Sequence, residues 1–129
     1  MRRRFLAWSI ASLAALAAGD AAACGICTDD KVAAAYDHAV VTRARAEGRV
    51  VVFAEPAAVR DAPRALRRVA ARAGRVRGID GATVRTSAAP AALSFVLDPR
   101  VSSPERALAA LASAARVPGL QLRPLRILE

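Results

Sequence analysis

The hydrophobic pattern of the chain changes its period several times, and each change predicts a separate element of secondary structure. Apolar residues that recur at three- and four-residue steps indicate amphipathic helices, whereas continuous or alternating β-branched stretches indicate strands. The predicted elements are a helix over 29–47, a strand over 49–55, a helix opened by Asp61 and ended by Gly74, strands over 82–87 and 92–98, a helix that starts at Ser102 or Ser103, and a strand over 120–128.

The order of these elements from Val50 onward predicts the fold. Strand, helix, strand, strand, helix, strand is the β-α-β-β-α-β order of the ferredoxin-like fold, an α+β sandwich with both helices on one face of a four-stranded antiparallel sheet. In this topology the last strand lies at a sheet edge, where Pro124 is tolerated although it lacks an N–H. We predict one ferredoxin-like domain over 50–129, preceded over 24–49 by a C-x-x-C segment and an additional N-terminal helix.

The first 23 residues have the composition of an export signal. Three arginines precede a mainly apolar stretch from Phe5 to Ala18, which is too short to span a bilayer, and Ala21 and Ala23 supply an A-x-A cleavage site. We therefore predict a signal peptide over 1–23 and an exported protein, periplasmic or secreted. The residues after Met1 also resemble the twin-arginine signal R-R-x-F-L, so both export routes stay open.

Both cysteines of the chain, Cys24 and Cys27, form one C-x-x-C motif directly after the predicted cleavage site. Three roles stay open for them. The two thiolates are suitable ligands for Cu(I) or another soft metal ion. They also suit a structural or redox disulfide, since exported proteins meet oxidants. Finally, the small residues before Cys24 loosely resemble a lipoprotein cleavage box, which would anchor the chain to a membrane at Cys24.

The residues beyond the motif limit what it can bind. Asp29 and Asp30 are expected to cap the predicted helix over 29–47 and to favour its N-terminal dipole. The chain's one histidine, His38, lies about 16 Å from Cys27 along a straight helix, too far to share an ion with it. Tyr36 is predicted to be a core anchor, which places His38 on the opposite, exposed side of the helix.

The charge of the chain is strongly basic, with a formal net charge of +9, and nineteen of its twenty basic residues are arginines. In an exported protein such charge suits an anionic membrane surface or an acidic protein, while a solvated surface without a specific partner also accounts for it. The expected export of the protein and its few aromatic residues disfavour a nucleic-acid partner. Four arginines are predicted to share the polar side of the helix that follows Asp61: Arg64, Arg67, Arg68 and Arg72.

The second half of the chain resembles the heavy-metal-associated domains, the copper and heavy-metal chaperone modules. The matching residues are those of a turn and strand, a strand end, and a helix start: Gly78-Ile79, Ala82, Val84, Phe95, Asp98-Pro99 and Ser103-Pro104-Glu105. With the preceding strand and helix, the resemblance covers about 50–128. It implies a ferredoxin-like fold and metal trafficking.

The metal loop of that family is not reproduced here. Its domains hold the ion in an M-x-C-x-x-C loop between the first strand and first helix, whereas the corresponding loop from Ala54 to Pro63 contains no Cys or Met. Glu55 and Asp61 remain there, and we expect them to serve as surface charge and helix cap. A metal site would therefore rest on Cys24 and Cys27.

Two functions follow as expectations. The first is an exported protein that binds or delivers a soft metal, copper-like, through Cys24 and Cys27, so that its partner is the metal ion or a metal-handling envelope protein. The second is a non-catalytic envelope interaction module that binds a protein or membrane partner through the arginine-rich helix or an exposed sheet edge, with a disulfide or a lipidated Cys24. An enzyme is not expected, because one histidine, no Ser/His/Asp grouping and no Gly-rich phosphate loop leave no catalytic constellation.

Overall fold

Four strands form one antiparallel sheet in the computed structural model, which describes residues 27–129. The strands are β1 (Val50–Ala57), β2 (Ile79–Ala88), β3 (Ala91–Leu97) and β4 (Gln121–Leu128), and they lie in the order β2-β3-β1-β4. All three pairings, β1 with β3, β1 with β4 and β2 with β3, are antiparallel. The predicted signal peptide over 1–23 and Cys24 lie outside the described residues.

Four α-helices accompany the sheet: α1 (Thr28–Ala34), α2 (His38–Ala46), α3 (Ala62–Arg72) and α4 (Pro104–Ala115). A 3₁₀ helix over Ala73–Arg75 continues α3. Asp61 and Ser103 begin α3 and α4, because their side chains accept hydrogen bonds from the backbone N–H groups of Arg64 and Arg106. The α+β class and the order of elements from β1 to β4 are confirmed.

Both faces of the sheet are covered. On β1, Val52 and Ala54 belong to the larger core under α3 and α4, whereas Val51 and Phe53 belong to a smaller core under α1 and α2. Successive residues of a strand point to opposite faces, so a strand covered on both sides is apolar at every position. This explains why the sequence of β1 is a continuous apolar stretch. No helix within residues 27–129 is long and apolar enough to cross a bilayer.

The predicted single helix over 29–47 is wrong, because the chain folds into α1 and α2 with a break between them. Ala35 ends α1, and Asp37 begins α2 by accepting a hydrogen bond from the N–H of Val40 at 3.2 Å. Asp37 also binds the Arg85 side chain of β2, with an Oδ2 to Nε distance of 2.9 Å. Inside the break, the backbone carbonyl of Ala35 accepts a hydrogen bond from the buried Ser94 hydroxyl at 2.6 Å.

The predictions for the last strand and the hairpin are confirmed. β4 is an edge strand, and its register with β1 shifts at Phe53/Ala54, beside the pairing of Ala54 with Pro124. The proline therefore lies where an absent N–H disturbs the ladder least. β2 and β3 form the expected antiparallel hairpin, but β2 bulges between Asp80 and Arg85.

Candidate functional site

The C-x-x-C motif is described only at its second cysteine. Cys27 is exposed immediately before α1, and its Sγ donates a hydrogen bond to Oδ2 of Asp30 at 3.2 Å. Asp29 and Asp30 lie in the first turn of α1, where negative charge favours the helix dipole. The prediction that they cap the helix is wrong, because Cys27 is the N-cap residue and no side chain forms a capping hydrogen bond there. Cys24 lies outside the described residues, so the metal, disulfide and lipid roles of the pair stay predictions. Within residues 27–129, no group of three or more Cys, His, Asp or Glu side chains is placed to hold a metal ion.

Tyr36 and His38 differ from the expectation because the helix breaks between them. Tyr36 was expected in the core, yet it is 44% exposed and stacks on Phe53 with ring centroids 6.4 Å apart. Its hydroxyl lies 3.5 Å from Nδ1 of His38, so the two side chains are neighbours rather than on opposite sides of a helix. His38 is exposed, as predicted.

Glu55 is a partly buried carboxylate that joins α1 and β4, rather than a free surface charge. Its side chain is 13% exposed and binds Lys31 of α1 and, at 2.8 Å, Arg123 of β4. Burial alone would raise the pKa of Glu55, but the hydrogen bonds and positive charges of Lys31 and Arg123 outweigh it and hold the pKa below its ordinary value. The carboxylate therefore stabilises the fold at neutral pH, and this contribution is lost as the pH falls through the lowered pKa.

The polar side of α3 carries four arginines, here called the arginine face: Arg64, Arg67, Arg68 and Arg72. The first three are exposed and Arg72 is half-buried, while Ala65, Leu66 and Val69 are buried on the opposite side of the helix. The predicted amphipathic pattern of α3 is thus confirmed. Like charges at three- and four-residue spacing repel one another by about 0.2–0.5 kcal/mol per pair in a helix.

No ion pair within residues 27–129 relieves this repulsion. The ion pairs of the described chain use other basic residues: Lys31, Arg49, Arg85, Arg100, Arg123 and Arg126. The acid nearest in sequence, Asp61, is engaged as the cap of α3 through the N–H of Arg64 at 3.0 Å. The arginine face is therefore a concentrated positive charge without an acidic partner in the described part of the chain.

A recess adjoins the arginine face where β1 runs into α3. It has a volume of about 460 Å³, and we call it the loop recess. Arg64 and Arg68 line it together with Arg60, which the sequence reasoning missed. The signal available was its position four residues before Arg64 and eight before Arg68. One acid, Asp61, also lines it, and apolar residues form the rest of the lining: Ala58, Val59, Ala65, Val117 and Pro118.

A second, more apolar groove of about 570 Å³ runs between α4 and the edge strand β4. Leu108 and Ala112 of α4 line it, as do Leu122 and Pro124 of β4. It carries one charge of each sign, Glu105 and Arg116, whereas the loop recess carries three arginines and one acid. Of these two openings, the loop recess beside α3 therefore has the greater excess of positive charge.

Comparison of the chain with protein-family models, with curated proteins and with solved structures gave no match.

Proposed function

We propose that this chain is a non-catalytic envelope interaction module that binds an acidic protein partner through the arginine face of α3. The observation that carries the proposal is the set of four arginines on one side of α3, without an ion pair among residues 27–129. Carboxylates of a partner would relieve their mutual repulsion and form charge-assisted hydrogen bonds with the guanidinium groups.

The shape of the surface favours an acidic protein over an anionic membrane. The charged surface is concave at one end, where Arg60, Arg64 and Arg68 line the loop recess. A flat bilayer surface cannot enter a recess, whereas carboxylate side chains of a protein segment can. Arginine suits this role because its planar fork binds carboxylates in a bidentate manner.

The expected scaffold for this module is the ferredoxin-like fold. The strand order β2-β3-β1-β4, with antiparallel neighbours and with α3 and α4 over one face, supports this proposal. The heavy-metal-associated resemblance stays part of the same proposal. Relative to a ferredoxin-like domain, α1 and α2 form an added layer over the face of the sheet that α3 and α4 leave open.

Neutralisation of the arginine face tests the proposal. We expect the R64Q/R67Q/R68Q/R72Q variant to bind poly-L-glutamate about 30-fold more weakly than the unchanged protein, since four charge pairs at the protein surface contribute about 0.5 kcal/mol each. The measurement is a titration by fluorescence anisotropy at 0.1 M salt. Affinity should also fall as salt is raised, because exposed charges are screened.

A matched control removes the same charge elsewhere. Arg43, Arg75, Arg77 and Arg106 are exposed and form no ion pair within residues 27–129, so the R43Q/R75Q/R77Q/R106Q variant has the same net charge. We expect this control variant to lose less than threefold in affinity for poly-L-glutamate. Equal losses in the two variants would mean that net charge alone drives binding and would refute a specific site. If the protein binds vesicles containing 30% phosphatidylglycerol more tightly than poly-L-glutamate, its partner is an anionic membrane and not an acidic protein.

Soft-metal binding is the second candidate, and the exposure of the Cys27 thiol favours it. Cys24 and Cys27 together would supply two thiolates, the ligands that select Cu(I). We expect the reduced protein to bind one Cu(I), with binding lost in C24S and in C27S. Competition with a chromophoric Cu(I) chelator measures the affinity, and an unchanged affinity in both variants would exclude this function.

Export and the state of the thiols complete the proposal. A signal peptide over 1–23 would deliver the chain to the periplasm or the medium, where Cys24 and Cys27 would be free, paired in a disulfide, or lipidated at Cys24. Each state has a different mass. The intact mass of the protein purified from its envelope without reductant therefore distinguishes them.

A further inference from the structure

The loop recess combines a positive wall with an apolar one. Arg60, Arg64 and Arg68 supply the positive wall and outnumber the one acid of the lining, Asp61, whose Oδ1 accepts the capping hydrogen bond of α3. Val59 and Pro118 lie on the apolar wall. Its volume of about 460 Å³ falls in the range of about 300–1,000 Å³ that is typical of ligand pockets. A ligand that carries only charge would leave the apolar wall in contact with water, and an apolar ligand would leave the arginines without a partner.

The recess is formed by two loops that meet beside α3. At the end of β1, Ala58 has a φ of +58°, a left-handed conformation that is uncommon for a residue with a Cβ. The chain turns there into the segment that carries Val59 and Arg60. From the other side, Val117 and Pro118 follow α4 and close the recess. The opening therefore has a defined shape rather than being a flat patch of charge.

We propose that the loop recess binds a short acidic segment of the partner with an apolar side chain between its carboxylates. The apolar side chain would pack against Val59 and Pro118, and the flanking carboxylates would bind Arg60, Arg64 and Arg68. This inference rests on the proposed acidic partner and names the kind of segment that the partner presents. Arg67 and Arg72, which do not line the recess, contribute only to the general attraction of the arginine face.

Two peptides of equal charge test the apolar part of the site. We expect the peptide EELEE, acetylated and amidated at its ends, to bind the protein about tenfold more tightly than EEGEE, because leucine removes apolar surface from water when it packs against Val59 and Pro118. Isothermal titration calorimetry at low salt measures both affinities. Equal affinities for the two peptides would overturn the inference.

Two single variants test the charged part. R60Q should weaken EELEE binding about fivefold, whereas R67Q, which removes an equal charge outside the recess, should weaken it less than twofold. Equal effects of R60Q and R67Q would also overturn the inference. The proposed function would still stand in that case if the R64Q/R67Q/R68Q/R72Q variant alone loses poly-L-glutamate binding, so the two failures are distinguishable. Unchanged thermal unfolding of both single variants serves as the folding control.

Discussion

Replacement of Gly81 by alanine should lower the free energy of unfolding by about 3 kcal/mol, the upper part of the range for overpacked sites. A Cβ at Gly81 would lie 2.7 Å from the Cα and 2.9 Å from the backbone N of Gly74. Both neighbours are backbone atoms, so relief requires the bulge of β2 and the 3₁₀ helix after α3 to separate. Urea unfolding followed by circular dichroism measures the loss as a lower midpoint.

Substitution of Gly74, the other residue of this contact, provides a matched control. A Cβ at Gly74 would meet only the Cα of Gly81, at 3.9 Å, which is an ordinary van der Waals distance. G74A should therefore change the free energy of unfolding by less than about 1 kcal/mol, and a small gain is expected from the reduced freedom of the unfolded chain. Equal destabilisation by G74A and G81A would show that the close approach is not the cause.

Truncation of Phe53 to alanine should destabilise the protein by about 4 kcal/mol, the usual cost of removing a buried aromatic ring. Phe53 is fully buried in the smaller core, where Val32, Ala35, Val41 and Ala44 supply the helical side of the contact. Those four side chains are small, so they cannot fill the space left by a ring. The loss is measured by denaturant unfolding.

Hydrogen exchange distinguishes a local loss of the smaller core from a general loss of stability in F53A. Hydrogen exchange in F53A should accelerate most in α1 and α2, because the smaller core attaches them to the sheet. I127A on the edge strand β4 is the control: Ile127 is 39% exposed, and we expect a loss of less than about 1 kcal/mol. Unchanged exchange in α2 of F53A would contradict the assigned role of the smaller core.

The strands and the second pair of helices were predictable because local signals and burial agree there. The apolar sequence of β1 marks a strand covered on both faces, and Asp61 and Ser103 mark the starts of α3 and α4. Pro124 correctly indicated the edge position of β4. In each case, one residue type carries a backbone preference that does not depend on distant partners.

Features that depend on partners distant in sequence could not be predicted in the same way. The break between α1 and α2 is stabilised by Arg85 and Ser94, which bind Asp37 and the carbonyl of Ala35 from the sheet. In β2, the bulge is stabilised by Thr83, whose hydroxyl accepts a hydrogen bond from the N–H of Val96 and donates one to the carbonyl of Asp80. Neither pairing leaves a local pattern in the sequence.

The candidate site was predictable in part for the same reason. The arginine face follows from helical periodicity within α3 alone, so the sequence identified all four of its members. Arg60 was missed because only the loop geometry brings it to the recess. The ion pairs of Glu55 were not predictable, because its partners Lys31 and Arg123 lie 24 and 68 residues away in the sequence.

We propose that the positive surface at α3, and no other part of residues 27–129, receives the acidic partner. Nuclear magnetic resonance of the ¹⁵N-labelled protein, titrated with poly-L-glutamate at 0.1 M salt, tests it most directly. We expect amide shift changes confined to α3 and to the loops at 58–61 and 117–118, with smaller changes as salt is raised. Changes centred on other basic segments, such as those around Arg43 or Arg106, or no changes at all, would contradict it.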